Sequence, residues 1–236
     1  MEKTMETNIN LELTILMPCL NEGRTVSFCV KQALAYMKQR HIIGEVLVVD
    51  NGSEDHSFEI AGKAGARVIR CSEKGYGNAL RFGIHQAKGK YIIMGDCDGS
   101  YDFLSLDEFM KQLRDGKELV MGDRLNGIEK GAMPWLHQYI GIPILSWLGR
   151  IRYRTNIHDF HCGLRGIQKD AFKEISFQST GMEFASEMIG KAVKEGLSIV
   201  EVPIKLYPDK RNRRSHLRPF RDGIRHIKMI MKFEEK

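Results

Sequence analysis

Short apolar strand-like runs alternate with amphipathic helical segments through the first half of this 236-residue chain, and this alternation constrains the fold most. The pattern predicts five strands, at residues 13–17, 45–49, 67–70, 91–95 and 118–121. Helices are predicted between them, at residues 25–40, 57–64, 77–88 and 104–115. Strands joined by such helices form βαβ units, whose parallel sheet is covered by helices on both faces. The sequence therefore predicts an α/β fold.

The second half of the chain is less regular. It predicts a helix at residues 135–152, a strand at 162–167, a helix at 181–196 and a last strand at 198–206. Because no linker-like stretch separates the halves, we expect one domain over residues 11–216. A basic amphipathic helix is expected within residues 217–236.

Polar side chains follow three of the predicted strands. Pro18 is expected to end the first strand, and Asn21 and Glu22 come directly after it. Asp50 ends the second strand, where its carboxylate could accept hydrogen bonds from a ribose or a base N–H. If these strands are neighbours in the sheet, their loops open on one crevice, which is where open α/β sheets bind ligands.

The fourth strand runs straight into the two carboxylates of Asp96-Cys97-Asp98. Two carboxylates this close repel each other unless a cation lies between them. Hard oxygen ligands suit Mg²⁺ or Mn²⁺, and such an ion commonly takes a diphosphate as a further ligand. The simpler interpretation, a loop with two solvated acids, stays open at this point because the Asp-x-Asp pattern is common.

The net charge of +6 is concentrated at the C-terminal end of the chain. Ten Lys or Arg residues against two Asp lie between Lys205 and Lys232. Apolar residues fall on one side of the predicted last helix and basic residues on much of the rest, as in helices that lie on anionic membranes. A surface helix that packs its apolar stripe on this same domain is the equal alternative.

The five cysteines are an odd number without a CxxC pair, which argues against a disulfide framework and for a reducing compartment. No run reaches the roughly 18–20 apolar residues that a membrane-spanning helix requires, and the N-terminus has no apolar signal region. A nucleic-acid-binding protein would explain the basic tail but not the acids at three strand ends. We therefore expect no nucleic-acid partner.

Several motifs in this order resemble those of family 2 glycosyltransferases with the GT-A fold, particularly the polyprenyl-phosphate and dolichyl-phosphate hexose synthases. The resemblance covers roughly residues 11 to 230. It rests on Pro18-Cys19-Leu20-Asn21-Glu22, Asp50-Asn51-Gly52-Ser53, Lys74-Gly75-Tyr76-Gly77, Asp96-Cys97-Asp98, Asp159-Phe160-His161-Cys162-Gly163-Leu164-Arg165 and Gly181-Met182-Glu183. It implies a single GT-A domain with a mostly parallel central sheet, helices on both faces and a Rossmann-like nucleotide-binding half.

The resemblance also implies roles for the strand-end residues. Pro18, Asn21, Glu22 and Asp50 would contact the base and ribose of a nucleotide sugar. Asp96 and Asp98 would hold Mg²⁺ or Mn²⁺ and the sugar diphosphate. Two positions depart from the family pattern. Ser100 stands where related mannosyl enzymes often have Gln, and Asn51 where many relatives have a second Asp. The donor is therefore expected to be of the UDP-glucose or GDP-mannose type, without a choice between them.

Basic residues could serve the phosphates of the substrates. Arg124 resembles a family arginine that faces them, and a guanidinium fits a phosphate bidentately; a surface salt bridge is the alternative. Lys74 precedes a glycine turn that opens a helix, where free N–H groups could meet an anion, although a plain turn is equally consistent. Arg213 and Arg214 belong to a dense cationic loop with Lys210 and Arg211. By resemblance this loop would close near a phosphate; a solvated run is the alternative.

The expected chemistry is inverting transfer by a single displacement at the anomeric carbon. Asp98 and Arg124 are the expected catalytic residues, because the metal and the arginine would stabilise charge on the departing diphosphate. A polyprenyl phosphate acceptor is already anionic and requires no strong base. A hydroxyl acceptor would require one, for which Asp159 is the best candidate; Asp159 could instead orient the acceptor or cap a turn.

Two functions are therefore expected from the sequence. The first is hexose transfer to a polyprenyl phosphate by an enzyme peripheral to the cytoplasmic face of a membrane. The second is transfer to a sugar or protein hydroxyl by a soluble enzyme, with Asp159 as the base.

Overall fold

The computed structural model describes residues 10–211 and 218–233. Within these residues seven strands form one sheet in the order β3-β2-β1-β4-β6-β5-β7. The strands are β1 (Leu13–Cys19), β2 (Gly44–Asp50), β3 (Arg67–Arg70), β4 (Tyr91–Met94), β5 (Leu119–Asp123), β6 (Arg165–Gln168) and β7 (Ile199–Pro203). All pairings are parallel except those of β6, which runs antiparallel to β4 and β5. The mostly parallel sheet predicted from the sequence is confirmed.

Helices follow the strands as the sequence predicts, with additions in the second half. They are α1 (Val26–Gln39), α2 (Ser57–Lys63), α3 (Tyr76–Gln86), α4 (Asp107–Arg114), α5 (Ile142–Tyr153), α6 (Lys169–Lys173), α7 (Phe184–Lys194) and α8 (Pro219–Met231). The helix predicted at residues 135–152 begins as a π-helical turn, His137–Gly141, that leads into α5. The short helix α6 was not predicted from the sequence.

Apolar side chains alternate between the two faces of β1 and anchor a core on each. Leu13, Ile15 and Met17 pack with α1 and α4 on one face, while Leu16 packs with α3 and α7 on the other. Each fully buried side chain of this size stabilises the fold by about 1.5–3 kcal/mol relative to its exposed state. Helices on both faces are therefore confirmed. The five cysteines are all buried and free.

Pro18 does not end β1, contrary to the sequence-based expectation. β4 pairs with β1 only as far as Leu16, whose carbonyl accepts a hydrogen bond from Gly95 N at 3.0 Å. Pro18 lies two residues further on the same side, where its carbonyl meets Cys97 Sγ at 3.3 Å. The missing N–H of Pro18 thus removes no ladder bond, and the strand continues to Cys19 along β2.

Helix α8 packs against α5 and α7 with an unexpected orientation. It buries Asp222, His226 and Ile230, which are spaced four residues apart and so lie on one side of the helix. The larger apolar side chains of α8 are exposed: Phe220, Ile224, Ile227 and Met231. The expectation that the apolar stripe packs on this same domain is therefore wrong for most of the stripe, Ile230 excepted. Leu217, with residues 212–216, lies outside the described residues.

Candidate active site

The loops after β1, β2 and β4 lie side by side, because these three strands are neighbours in the sheet. With α3 and α8 they surround a cleft of about 570 Å³, here called the outer cleft. Its lining includes Pro18, Asn21, Glu22, Lys74, Asp96 and Asp98. The structure therefore brings together most of the residues that the sequence placed in a site. Their shared position follows from the carboxyl ends of neighbouring parallel strands meeting at one edge.

Side chains lock the loops at one end of the outer cleft to each other. Asn21 has a left-handed backbone, with φ at 58°, and its N–H donates to Ser53 Oγ at 2.9 Å. Its side-chain Oδ1 accepts from Glu54 N at 2.8 Å. Asp50 is 3% exposed and accepts from Ser53 N at 3.3 Å, so it shapes the turn after β2 and does not line the cleft. These bonds fix the loops without a ligand.

The contacts of Asn51 show why an amide suits this position, which the family resemblance marks as one where many relatives have an aspartate. Its Nδ2 donates to the carbonyls of Cys71 and Glu73 at 3.2 and 2.8 Å, and its Oδ1 accepts from Gly75 N at 2.7 Å. A carboxylate has no N–H and would leave both carbonyls without this donor. Asn51 therefore ties the loop after β2 to the turn that opens α3.

The turn at Lys74 is built for packing as well as for the cleft. Gly75 N is used by Asn51, and Gly77 N donates to Thr180 O at 3.1 Å. The expectation that these N–H groups are free for an anion is therefore wrong for both glycines. The side chain of Lys74 still lines the outer cleft.

The two carboxylates after β4 have different surroundings. Asp96 Oδ1 accepts from the Tyr76 hydroxyl at 3.0 Å. Asp98 Oδ1 accepts from both the N–H and the Oγ of Ser100, at 2.9 and 2.6 Å. Burial and the nearby Asp98 carboxylate raise the pKa of Asp96 to about 6, because each opposes a negative charge there. A proton or a cation that offsets the negative charge at Asp96 is therefore stabilised there.

A backbone glycine makes room for Asp96. A Cβ at Gly163 would lie 2.8 Å from Asp96 Oδ2 and 3.0 Å from the Tyr101 hydroxyl. Gly163 N in turn donates to that hydroxyl at 2.8 Å. The glycine of the Asp159-to-Arg165 motif therefore allows β6 to approach the end of β4 closely.

The donor set of the outer cleft fits a divalent cation that also binds a diphosphate. Asp96 and Asp98 supply carboxylate oxygens, and Mg²⁺ is usually held by one or two carboxylates together with waters or phosphate oxygens. Across residues 10–211 and 218–233, no three His, Cys, Asp or Glu side chains cluster as a complete protein metal site. A metal at this pair would therefore share its coordination with a ligand.

Residues 207–211, here called the strap, cross over the Asp-x-Asp loop. Tyr207 N donates to Ser100 O and Lys210 N to Asp98 O, both at 2.9 Å. Arg211 Nη2 lies 3.0 Å from Asp98 Oδ2. The structure thus places Arg211, from the cationic loop that the sequence singled out, in the cleft. Arg213 and Arg214 lie outside the described residues.

Arg124 and Asp159 form a buried ion pair, at 6% and 0% exposure. Arg124 Nε and Nη2 donate to the two carboxylate oxygens of Asp159 at 2.6 and 2.7 Å. Although burial opposes its ionisation, the Arg124 guanidinium keeps the pKa of Asp159 below its usual value. The alternative of a surface salt bridge is therefore wrong. Asp159 is also a poor general base, because it lines neither cavity and both oxygens are occupied.

An inner pocket of about 250 Å³ adjoins the outer cleft. The two cavities share Tyr76, Asp96, Met182 and Asp222. Most of the inner pocket is apolar, and its walls come from α5, α7, α8 and the π-helical turn. Its polar lining includes Arg124, Arg165, His161 and His226.

Two histidines of the inner pocket pack edge to face, with ring centroids 4.5 Å apart. His226 Nδ1 pairs with Ser186 Oγ at 2.8 Å. Burial lowers the pKa of His226 to about 4 and also lowers that of His161. Both rings are therefore neutral at physiological pH. No sequence pattern indicated this pair, because His161 and His226 are far apart in the chain.

Three arginines near the start of α8 line the outer cleft: Arg218, which directly precedes the helix, and Arg221 and Arg225 within it. Arg225 Nη2 donates to Glu183 Oε1 at 2.6 Å and to Thr180 Oγ1 at 3.1 Å. From the sequence, these basic residues were expected either at an anionic membrane surface or on the solvent side of a helix packed on this domain. Their spacing of three to four residues could have indicated a shared face, but not that this face meets the cleft.

Comparisons with known proteins agree with this geometry. The sequence profile described as Glycosyl transferase family 2 matches residues 14–176. The chain is 39% identical over 228 residues to the low-salt glycan biosynthesis hexosyltransferase Agl6 of Haloferax volcanii, covering 96% of this chain and 54% of Agl6. It therefore spans about half the length of that relative. A dolichyl-phosphate hexose transferase of the same organism is 30% identical over 224 residues, covering 94% of this chain and 93% of the relative.

Solved structures share the fold. Glucosyl-3-phosphoglycerate synthase from Mycobacterium tuberculosis, in complex with phosphoglyceric acid, superposes with a TM-score of 0.73 at 18% identity. The match covers 94% of this chain and 79% of the synthase. The GT-A type of fold and the family resemblance expected from the motifs are confirmed.

Proposed function

Because the chain belongs to glycosyl transferase family 2, we propose that it moves a hexose from a nucleotide-diphosphate sugar to a polyprenyl phosphate at the cytoplasmic membrane face. The strongest support for this proposal is the connection between the two cavities. The outer cleft, with its paired carboxylates, opens into an apolar inner pocket whose helices expose large apolar side chains on their outer sides.

The nucleotide sugar, of the UDP-glucose or GDP-mannose type, binds in the outer cleft. Pro18, Asn21 and Glu22 line its nucleotide end, and Asp50 holds the turn beside them. Asp96 and Asp98 would hold Mg²⁺ or Mn²⁺, which would stabilise the charge on the departing diphosphate. Solved synthases of this fold carry Mn²⁺ or Mg²⁺ with uridine diphosphate, which supports the same pairing here.

Cationic residues surround the expected diphosphate position. Lys74, Arg221 and Arg211 line the outer cleft, and Arg213 and Arg214 follow Arg211 in the chain. Arginine matches phosphate geometry bidentately, so these side chains can bind and orient the leaving group.

The acceptor phosphate enters the inner pocket and approaches Arg124. This guanidinium lines the pocket while Asp159 fixes its orientation from behind. Asp159 is therefore a positioning residue. A phosphate monoester is largely anionic near neutral pH, so it attacks the anomeric carbon directly as the C1–diphosphate bond breaks. The transfer inverts the anomeric centre and requires no general base.

The outer sides of α5 and α8, with the segment before α5, suit an interfacial membrane contact. On α5 Ile144, Trp147 and Ile151 are exposed, while Ser146, Gly149 and Tyr153 are buried. Helix α8 likewise buries Asp222 and His226 and exposes its large apolar residues. We call the following exposed residues the apolar face: Trp135, Tyr139, Ile144, Trp147, Ile151, Phe220, Ile224, Ile227 and Met231.

Two features favour a bilayer as the occupant of the apolar face. Trp and Tyr prefer the membrane–water interface, and exposed Lys228 and Lys232 on α8 can meet anionic headgroups. Helices α5 and α8 also form walls of the inner pocket, so a lipid held at the apolar face would carry its phosphate close to that pocket. The helices within the described ranges are each too short or too polar to span a bilayer.

A second candidate function is transfer to a sugar or protein hydroxyl with Asp159 as the base. A glucosyl-3-phosphoglycerate synthase solved in complex with phosphoglyceric acid shares the fold, which supports a small soluble acceptor as the alternative. The burial of Asp159 and its two bonds to Arg124 disfavour that role, because a base must reach the acceptor proton.

A donor and acceptor screen tests the proposal. The protein is incubated with UDP-glucose or GDP-mannose, Mg²⁺ or Mn²⁺, and liposomes that contain a polyprenyl phosphate. We expect hexose to enter the organic phase, with at least about a hundredfold loss on metal chelation or in Asp98→Asn. Full activity after either change would contradict the metal assignment. Transfer to soluble hydroxyl acceptors alone would contradict the lipid acceptor.

A further inference from the structure

Arg211 is in contact with three carboxylates at the end of the strap. Its Nη2 lies 3.0 Å from Asp98 Oδ2 and 3.1 Å from Asp209 Oδ2, and its Nη1 lies 3.4 Å from Glu22 Oε1. The side chain is only 12% exposed. A guanidinium in this position offsets the repulsion among acids that the cleft brings together.

The strap holds Arg211 in place by contacts of its own. Lys210 N donates to Asp98 O, and Lys210 Nζ lies 3.5 Å from the centroid of the Phe28 ring. The alkyl chain of Lys210 also lies against Gly99, where a Cβ would approach it to 3.1 Å. A cation over an aromatic face is attracted by the negative potential of the ring. The strap therefore keeps its position when the Arg211 guanidinium moves.

One donor of Arg211 is left without a partner. The Nε atom is shielded from solvent and has no hydrogen-bond acceptor among the described residues. A buried donor without an acceptor raises the free energy of this arrangement, because it has lost its hydrogen bonds to water. Another arrangement of the side chain, in which Nε meets a phosphate oxygen, would recover this free energy.

We propose that Arg211 is a resident counter-cation of Asp98 that a divalent metal replaces when the nucleotide sugar binds. The inference rests on the proposed function, because it takes Asp98 as a metal ligand. A metal ion held by Asp98 would compete with the guanidinium for that carboxylate, and the two cations would repel each other. The released guanidinium turns to the diphosphate, which arrives with the metal. Arg211 thus weakens metal binding without nucleotide and strengthens it with nucleotide.

Binding of Mn²⁺ measured by electron paramagnetic resonance of the free ion tests this exchange. In the absence of nucleotide, we expect Arg211→Gln to bind Mn²⁺ about five- to tenfold more tightly than wild type, because a competing cation is removed. With UDP present the order reverses, and the variant loses about fivefold or more in Mn²⁺ affinity. Arg211→Lys keeps the charge and should fall between the two.

Arg40→Gln is the matched control. Arg40 also pairs with a carboxylate, Asp107, at the surface, and neither residue lines the outer cleft. Its Mn²⁺ affinity should equal that of wild type with and without UDP. Circular dichroism of each variant confirms that the fold is kept.

Two results would overturn the exchange and can be told apart. Unchanged or weaker Mn²⁺ binding by Arg211→Gln without UDP, with normal UDP-stimulated binding in wild type, would reject it and leave the proposed function standing. Absence of Mn²⁺ binding by wild type even with UDP would reject the exchange together with the metal assignment.

Discussion

The outer cleft and the inner pocket differ in the polarity of their linings and in the type of structure that forms their walls. The outer cleft is the more polar of the two, and its loops after β1, β2 and β4 are fixed by hydrogen bonds such as Asn21 N to Ser53 Oγ. The inner pocket is largely apolar and is walled by packed helices. A pre-formed polar cleft suits a charged nucleotide sugar, whereas a pocket between helices suits an acceptor that arrives from an apolar phase. Under the proposed function, this difference separates a donor side, the outer cleft, from an acceptor side, the inner pocket.

The junction between the two sides should give the largest effect on stability. Asp159→Asn leaves the buried Arg124 guanidinium without its carboxylate. Breaking a buried ion pair in this way typically costs about 3–5 kcal/mol. We expect a loss of this size in the free energy of unfolding, measured by urea denaturation, together with loss of transfer activity.

Asp107→Asn is a suitable comparison, because it breaks the exposed pair with Arg40 and should change stability by less than about 1 kcal/mol. Normal stability of Asp159→Asn with a changed pH–rate profile would instead favour Asp159 as a catalytic base.

The acceptor side should be separable from the donor side by mutation of the apolar face. In Trp147→Ser/Phe220→Ser we expect at least tenfold weaker binding to anionic liposomes, because each aromatic side chain contributes about 1.5–3 kcal/mol when buried. Binding of UDP should be unchanged. Flotation and nucleotide titration measure the two properties.

Ile43→Ser supplies the control for this double variant. Ile43 is exposed like the apolar face but directly precedes β2, at the opposite end of the strands. It should float with liposomes as wild type does. If wild type, Trp147→Ser/Phe220→Ser and Ile43→Ser all float equally with liposomes, the apolar face does not bind the membrane.

The histidine pair of the inner pocket should make stability depend on pH. Burial lowers the pKa of His226 to about 4, below its unfolded value near 6.5. The neutral ring therefore contributes stability that is fully present above about pH 6.5 and is lost as the pH falls toward 4. Each pKa unit corresponds to about 1.4 kcal/mol, so the loss over this window is about 3 kcal/mol.

In His226→Gln we expect a shallower decline in stability over the same window, because glutamine does not titrate. Thermal unfolding at intervals between pH 4 and 7 measures the slope. Slopes of equal steepness in wild type and variant would show that His226 is not the titrating group.

The smallest expected effects distinguish the two basic sides of α8. Arg221→Gln should lower affinity for UDP by about fivefold and leave liposome binding nearly unchanged, because Arg221 lines the outer cleft. Lys232→Gln should do the reverse, since a basic residue near an anionic surface is worth about 1 kcal/mol. If Arg221→Gln and Lys232→Gln change UDP affinity equally and also change liposome binding equally, the two sides of α8 do not have separate roles.

The donor side could be predicted from the sequence because backbone geometry alone positions it. Parallel strands place their carboxyl ends together, so locating Asn21 and Asp98 after strands was sufficient to bring them into one cleft. Local hydrogen bonds, which the strand order does not predict, then determined which of these groups face the cleft. Asp50 turned inward to its own loop, and Gly75 N and Gly77 N were used by Asn51 and Thr180.

The acceptor side depends on packing that periodicity does not encode. Arg124 and Asp159 meet across 35 residues of chain, and β6 enters the sheet in the antiparallel direction. The spacing of α8 separates its faces correctly, but it does not say that the face with Asp222 and His226 is the buried one. Tertiary contacts decide which face of a helix turns inward.

Transfer measured with the acceptor in two physical states tests the division most directly. Hexose transfer to a polyprenyl phosphate is followed in liposomes and in detergent solution for wild type, Asp98→Asn and Trp147→Ser/Phe220→Ser. We expect Asp98→Asn to be inactive in both states. The double variant should be impaired at least tenfold in liposomes and near wild type in detergent. Equal activity of the double variant and wild type on liposomes, or full activity of Asp98→Asn in either state, would contradict the account.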